Sequence, residues 1–144
     1  MKRMLLGLAL ACAASPSFAT YYCQMDMFGP TDILPTLQSV ALPISEQQCD
    51  LLKRNKLVLN FDGMTVAATD KGYNIAWVTV DVMDPVTRSV SEHTYRSMIV
   101  SPSPSQKNAT DALVDAYKGA LKGLPLEAAV NDVLKRRQQI AAKK

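Results

Sequence analysis

The fold is decided by the stretch Tyr73-Asn74-Ile75-Ala76-Trp77-Val78-Thr79-Val80-Asp81-Val82-Met83, with its turn at Asp84-Pro85 and its return through His93-Thr94-Tyr95-Arg96-Ser97-Met98-Ile99-Val100. The first arm is β-branched and aromatic without helical spacing, and Asp-Pro is a turn signal, so the stretch predicts a β-hairpin. Val78, Val80 and Val82 share one face of this arm, and Ile75 and Trp77 share the other. Because both faces are apolar, we predict a central strand.

The segment before this hairpin also has the pattern of a strand. Leu57, Leu59 and Phe61 alternate with less apolar residues, which is typical of a half-buried strand. Asp62-Gly63 is formally a hairpin turn signal, but the strand-like pattern continues from Met64 to Thr69, so we favour a bulge in one long strand. An antiparallel meander of three strands follows, or of four if Asp62-Gly63 turns.

Two amphipathic helices are predicted after the extended Ser101–Ser105 linker. Apolar residues recur at spacings of three and four in each: Ala109, Ala112, Leu113, Ala116, Tyr117, Ala120 and Leu121 in the first, and Leu126, Ala129, Val130, Val133 and Leu134 in the second. Packing both on one face of the meander gives a two-layer α+β fold.

A short helical region precedes the strands and contains the clearest helix start in the chain. Ser45 at the N-cap and Gln48 three residues later form a capping box, with Ile44 and Cys49 at the hydrophobic staple positions. Cys49 is predicted to form a structural disulfide with Cys23. The N-terminal signal peptide described next predicts export, and an exported chain is expected to pair the two cysteines that remain once this peptide is removed.

Residues 1–19 have the pattern of a bacterial-type signal peptide. Lys2-Arg3 form a charged start, an apolar run follows to Ala11, and Ser17-Phe18-Ala19 matches the small residues that a signal peptidase reads. We predict cleavage after Ala19, a single domain over residues 20–144 and a periplasmic or secreted location. The alternative is a lipoprotein with Cys12 as its first residue. No later segment is long enough to be a predicted membrane span.

The charge is concentrated at the C-terminal end. The full chain has a net charge of +3, and losing Lys2 and Arg3 with the signal leaves +1. Residues 135–144 carry five basic side chains and no acid, so the preceding body is mildly acidic. A basic tail of this kind contacts nucleic acid, anionic lipid or an acidic partner, so a peripheral envelope component bound through residues 135–144 is kept as an alternative function; we favour a tail that simply extends a helix into solvent. It lacks interleaved aromatics, so no nucleic acid is predicted as a partner.

No pattern in the chain predicts a catalytic, metal or cofactor site. His93 is the sole histidine, and the glycines do not have phosphate-loop spacing. An envelope hydrolase that uses Glu92, Asp81 and His93 is kept as an alternative, because paired carboxylates support glycoside hydrolysis.

The predicted binding residues are Tyr73, Ile75, Trp77, Tyr95 and Arg96. If the C-terminal helices cover the valine face of the central strand, the aromatic face needs another cover. We favour the N-terminal helices for that role, with a partner protein as the alternative, because exposed apolar patches usually mark contacts. The predicted function is a small exported protein-binding module, such as an adaptor, inhibitor or immunity-type protein, without a cofactor.

Overall fold

The sheet contains four strands in the order β1-β2-β3-β4, with four helices beside it, in the part of the chain that the structure describes. This structure is a computed structural model that describes residues 27–41, 43–68, 71–102 and 105–143. The elements are β1 (Met27–Phe28), α1 (Leu34–Gln38), α2 (Glu46–Arg54), β2 (Val58–Ala68), β3 (Tyr73–Met83), β4 (Tyr95–Ser101), α3 (Gln106–Gly123) and α4 (Leu126–Ala141). The predicted α+β class is confirmed.

Three of the strands form the predicted meander, and the fourth makes the sheet mixed. β2 pairs antiparallel with β3, and β3 pairs antiparallel with β4. β1, however, runs parallel to β2, with Met27 beside Leu59, so the prediction of a purely antiparallel sheet is wrong. The connection from β1 to β2 contains α1 and α2, and a helical connection of this kind lets the chain return to the same end of the sheet, as parallel pairing requires.

β2 passes through Asp62-Gly63 without a turn. Asp62 pairs with Thr79 and Gly63 with Val78, one residue for one, along the whole of β2. The single long strand is therefore confirmed, and both the hairpin turn and the bulge are wrong. A Cβ atom at Gly63 would lie 2.5 Å from the Trp77 carbonyl oxygen, so the close approach of the strands explains the glycine.

One face of the sheet, here called the helix face, carries the core. Val78, Val80 and Val82 are fully buried there with Leu59 and Phe61, as the alternation in β3 predicts. All four helices contribute to the same cluster: Leu37 from α1, Cys49 and Leu52 from α2, Ala112, Leu113, Ala116 and Tyr117 from α3, and Ala129, Val130 and Val133 from α4. Burial of this continuous apolar surface is the main favourable term in folding.

The predicted start of α2 is confirmed in atomic detail. The Ser45 hydroxyl accepts a hydrogen bond from the Gln48 amide at 3.2 Å, and the Ser45 amide donates to Gln48 Oε1 at 2.9 Å. Cys49 lies fully buried in the first turn of this helix. Its predicted partner Cys23 lies outside the described residues, as do the signal sequence and Cys12, so the disulfide and the cleavage site stay predictions.

No helix within the described ranges is both long enough and apolar enough to cross a bilayer.

Candidate functional site

The face of the sheet opposite the helices, here called the outer face, is organised in rows across three strands. The strand pairings give three such rows: Met64 with Trp77 and Met98, Val66 with Ile75 and Val100, and Asp62 with Thr79 and Arg96. Each row takes one residue from β2, one from β3 and one from β4. Two rows are wholly apolar, and the third places an acid and a base on either side of Thr79.

Large apolar side chains are exposed on this face. Met64 is 45% exposed, Val66 43%, Met98 64% and Val100 57%. The buried residues of α1 and α2 belong to the core on the helix face, so the prediction that the N-terminal helices cover Trp77 is wrong for these two helices. No helix in the described ranges packs over the two apolar rows.

Among the described residues, one end of the outer face is covered. Val58 and Met83 are buried there, and the guanidinium carbon of Arg88, in the β3–β4 connection, lies 5.2 Å from the centre of the Phe28 ring. Phe28 pairs with Asn60, which faces the same side. The open part therefore extends from the row of Thr79 toward the β2–β3 turn.

Arg96 and Trp77 form the one cation–aromatic contact on this open part. The guanidinium carbon of Arg96 lies 5.0 Å from the centre of the indole ring, and its Nε donates to Thr79 Oγ1 at 3.0 Å. No carboxylate in the described part of the chain forms an ion pair with Arg96. The structure thus places an exposed cation over an aromatic ring, at the edge of the apolar rows.

The predicted binding residues do not all lie together. Tyr73, Ile75 and Trp77 alternate along β3 on the outer face, and Arg96 joins them from β4. Tyr95 pairs with Val80 and faces the helices instead. Its ring packs so closely on the end of α3 that a Cβ atom at Gly123 would lie 2.2 Å from Tyr95 Cε1.

Four residues of the outer face were missed by the sequence reasoning: Met64, Val66, Met98 and Val100. Period-two alternation in β2 and β4 is the signal that would have found them, because a strand paired in register with β3 repeats its in-and-out pattern. A turn or a bulge at Asp62-Gly63 would have shifted the alternation of β2, so this alternation was not extended to Met64 and Val66.

The acids of the hydrolase alternative each have a separate structural partner. Asp81 accepts a hydrogen bond from Asn60 Nδ2 at 3.1 Å, and burial raises the pKa of its carboxyl more than this bond lowers it. Glu92 pairs with Arg136 of α4, and the pocket beside it is lined by neither Asp81 nor His93. His93 is exposed in the β3–β4 connection. In the described part of the chain, Asp81, Glu92 and His93 therefore do not line one common pocket.

Asp84 is the most strongly held acid in the described chain. Its side chain is 1% exposed, and Arg137 Nε lies 2.7 Å from its Oδ2. Burial alone would raise the pKa of this carboxyl, but the hydrogen bonds from Arg137, Val86 and Thr87 together lower the pKa to about 2. The carboxylate fixes the turn after β3, which is a structural role.

The predicted basic tail is partly a structural element. α4 continues to Ala141, and Arg136 and Arg137 form ion pairs with acids of the β3–β4 connection. Asp132, one turn before Arg136, accepts from the Glu92 amide at 2.7 Å, and this bond lowers the pKa of its carboxyl. Lys135 and Lys143 remain exposed, so the free positive charge is smaller than the sequence suggests.

A cavity of about 600 Å³ lies between α2 and α4 and is lined mostly by polar residues, Gln47, Gln48, Arg54, Glu127 and Asn131 among them. Within the described ranges, no group of three His, Cys, Asp or Glu side chains is arranged to hold a metal ion. The outer face is therefore the strongest candidate for a functional site.

No family model, no curated protein and no solved structure matches this chain.

Proposed function

We propose that the chain is a non-enzymatic protein-binding module and that its outer face docks a protein partner. The observation that carries this proposal is the pair of apolar rows centred on Trp77 and Ile75, which no described helix covers. Strands spaced about 4.8 Å apart and rising about 3.4 Å per residue give the two apolar rows a footprint of about 200 Å², or about 300 Å² together with the row of Thr79. Apolar patches of this order are often functional on otherwise soluble proteins.

The chemistry of the surface defines the partner that fits it. Met64 and Met98 present flexible thioethers, which adapt to an apolar surface, and Trp77 supplies a large rigid contact. Arg96 supplies donors without a carboxylate partner in the described chain, so a carboxylate on the partner gains a charge-assisted hydrogen bond. The partner is therefore a protein surface with apolar side chains and at least one acid.

The proposal includes export across a bacterial inner membrane. The support is the pattern of residues 1–19, with Ser17-Phe18-Ala19 at the cleavage position, and the even number of cysteines after it. Sequencing the N-terminus of the protein from the periplasm tests this directly. A start at Thr20 supports cleavage after Ala19, and a lipidated start at Cys12 supports the lipoprotein instead.

Site-specific photocrosslinking tests the docking surface. A photoreactive phenylalanine analogue replaces Met98 on the outer face in one version and Lys118, exposed on α3, in a matched control. Irradiation of host cells is expected to give a discrete adduct from position 98 and not from position 118. The adduct is then measured again with Arg96→Glu added.

The proposal requires the adduct to depend on the outer face. Arg96→Glu reverses the charge beside Trp77 and is expected to remove the adduct, while circular dichroism shows that the variant is folded. Equal adducts from both positions, or an adduct that persists unchanged with Arg96→Glu, would contradict docking at this face. The mass of the adduct identifies whether the partner is a different protein or the same chain.

A further inference from the structure

We infer that the outer face docks a second copy of this chain, in a two-fold dimer whose axis runs along β3. The inference rests on the proposed function, since it names the partner of the same surface. In an interface of this type the same patch of both copies must be complementary to itself. The three rows of the outer face meet that condition for one orientation of the axis.

An axis along β3 lays β2 of one copy over β4 of the other, because it exchanges the two strands that flank β3. The apolar rows then match: Met64 lies over Met98 of the second copy, and Val66 lies over Val100. Trp77 and Ile75 lie near the axis and face their own equivalents. Every apolar position in the two rows meets an apolar position.

The row of Asp62, Thr79 and Arg96 is also complementary to itself under this two-fold rotation. Asp62 and Arg96 occupy the β2 and β4 positions of the row of Thr79, so Asp62 of each copy faces Arg96 of the other. The dimer gains two intermolecular ion pairs from groups that have no ion-pair partner within the described chain. Arg96 is already held by its contact with Trp77 and its hydrogen bond to Thr79, which lowers the entropy lost when it pairs.

The other face-to-face orientation fails on charge. An axis perpendicular to the strands and centred on the row of Trp77 places Asp62 over Val66 and Arg96 over Val100, so that both charges face apolar side chains. Unpaired charges in a desolvated interface are costly. Charge complementarity therefore selects the axis along β3.

An axis along β3 brings the covered ends of the two copies to the same end of the dimer, so equivalent side chains there must be kept apart. Asp81 lies on β3 about 14 Å from Trp77 at about 3.4 Å per residue, in the part buried near the β3–β4 connection. Packed sheets cross at about −30°, which moves equivalent residues apart with distance from the centre. The two Asp81 side chains are thus kept from meeting across the axis.

The size of the surface predicts a weak dimer. A footprint of about 300 Å² per copy for the three rows is below the roughly 800 Å² per partner of a standard stable interface. We therefore expect association that depends on protein concentration between about 5 µM and about 500 µM.

Sedimentation equilibrium with charge-reversal variants tests the arrangement. Asp62→Arg and Arg96→Asp each place like charges opposite one another and are expected to weaken dimerisation at least about tenfold. The double variant restores opposite charges in both pairs and is expected to dimerise within a few-fold of the wild type. Asp115→Arg and Lys118→Asp make the same charge changes on exposed positions of α3 and are expected to leave the dimer unchanged.

The outcomes separate this inference from the proposed function. A wild-type protein that stays monomeric over the whole range overturns the dimer, while a Met98 crosslink to a different protein would still support docking at the outer face. A dimer that the single variants do not weaken, or that the double variant does not restore, places the interface elsewhere and also overturns the inference. Circular dichroism confirms that each variant is folded, and Met98→Glu provides a second disruption that leaves Arg96 in place.

Discussion

Arg137 Nε lies 2.7 Å from Asp84 Oδ2, and the same guanidinium donates through Nη1 to the Asn55 carbonyl at 3.0 Å. One side chain of α4 therefore ties the turn after β3 to the end of α2. The other carboxylate oxygen of Asp84, Oδ1, accepts a hydrogen bond from the Val86 amide at 2.9 Å. Arg137 therefore links three separate segments of the chain: α4, the end of α2 and the turn after β3.

The stability of the protein is expected to fall in acid because of Asp84. Its pKa of about 2 in the folded state lies below the ordinary value of 3.8, so the carboxylate stabilises the fold above about pH 4 and this contribution is lost as the pH falls toward 2. The loss from this group is about 2 kcal/mol. Urea unfolding at a series of pH values measures it.

Asp84→Asn is the control for this pH dependence. The variant is less stable than the wild type at neutral pH, but its unfolding free energy is expected to decline less between pH 4 and pH 2, because the titrating group is gone. Parallel declines in the two proteins would show that other carboxyls carry the acid sensitivity.

Replacing Arg137 with leucine is expected to destabilise the fold much more than replacing Arg136. Arg137→Leu leaves the buried Asp84 carboxylate without its cation, which costs about 3 kcal/mol. Arg136→Leu removes a pair with Glu92, whose side chain is 79% exposed, and an i,i+4 pair with Asp132 at 3.4 Å, and together these cost about 1 kcal/mol. Urea unfolding at pH 7 compares the two neighbours directly, and equal losses would contradict the structural role given to Asp84.

The sequence predicts the elements whose signals are local. The alternation in β3 correctly separates Val78 and Val80 from Trp77, and Ser45 with Gln48 correctly marks the start of α2. Each of these signals depends on residues within a few positions of one another. Local hydrogen bonding and hydrophobic periodicity are therefore sufficient to determine them.

What the sequence does not predict depends on distant parts of the chain. The parallel pairing of Met27 with Leu59 and the ion pair of Asp84 with Arg137 join residues far apart in sequence. Tyr95 was assigned to the face of Trp77 by its residue type, although its pairing with Val80 places it on the helix face, beside Gly123 of α3. The register of β4 is fixed by its pairing with β3, so the composition of β4 alone does not say which of its faces lies toward the helices.

The contact between Tyr95 and Gly123 predicts a coupled pair of substitutions. Gly123→Ala places a methyl group 2.2 Å from the Tyr95 ring, so this ring, which is 43% exposed, must swing aside and the protein is expected to lose about 1 kcal/mol of stability. In a Tyr95→Ser background the same change meets no ring and costs less. A double-mutant cycle by thermal or urea unfolding measures the coupling, and purely additive losses would place the ring away from α3.

Truncating an aromatic side chain on the helix face is expected to cost much more stability than truncating one on the outer face. Phe61 is buried against Tyr117, with ring centres 5.1 Å apart, so Phe61→Ala opens a cavity in the core and is expected to cost about 3 to 5 kcal/mol. Trp77 lies on the open outer face with Arg96 over its ring, so Trp77→Ala is expected to cost about 1 kcal/mol. Urea unfolding followed by circular dichroism compares the two without relying on tryptophan fluorescence. A loss for Trp77→Ala as large as that for Phe61→Ala would mean that the indole is enclosed in the folded protein, and the outer face would then have no docking surface to offer.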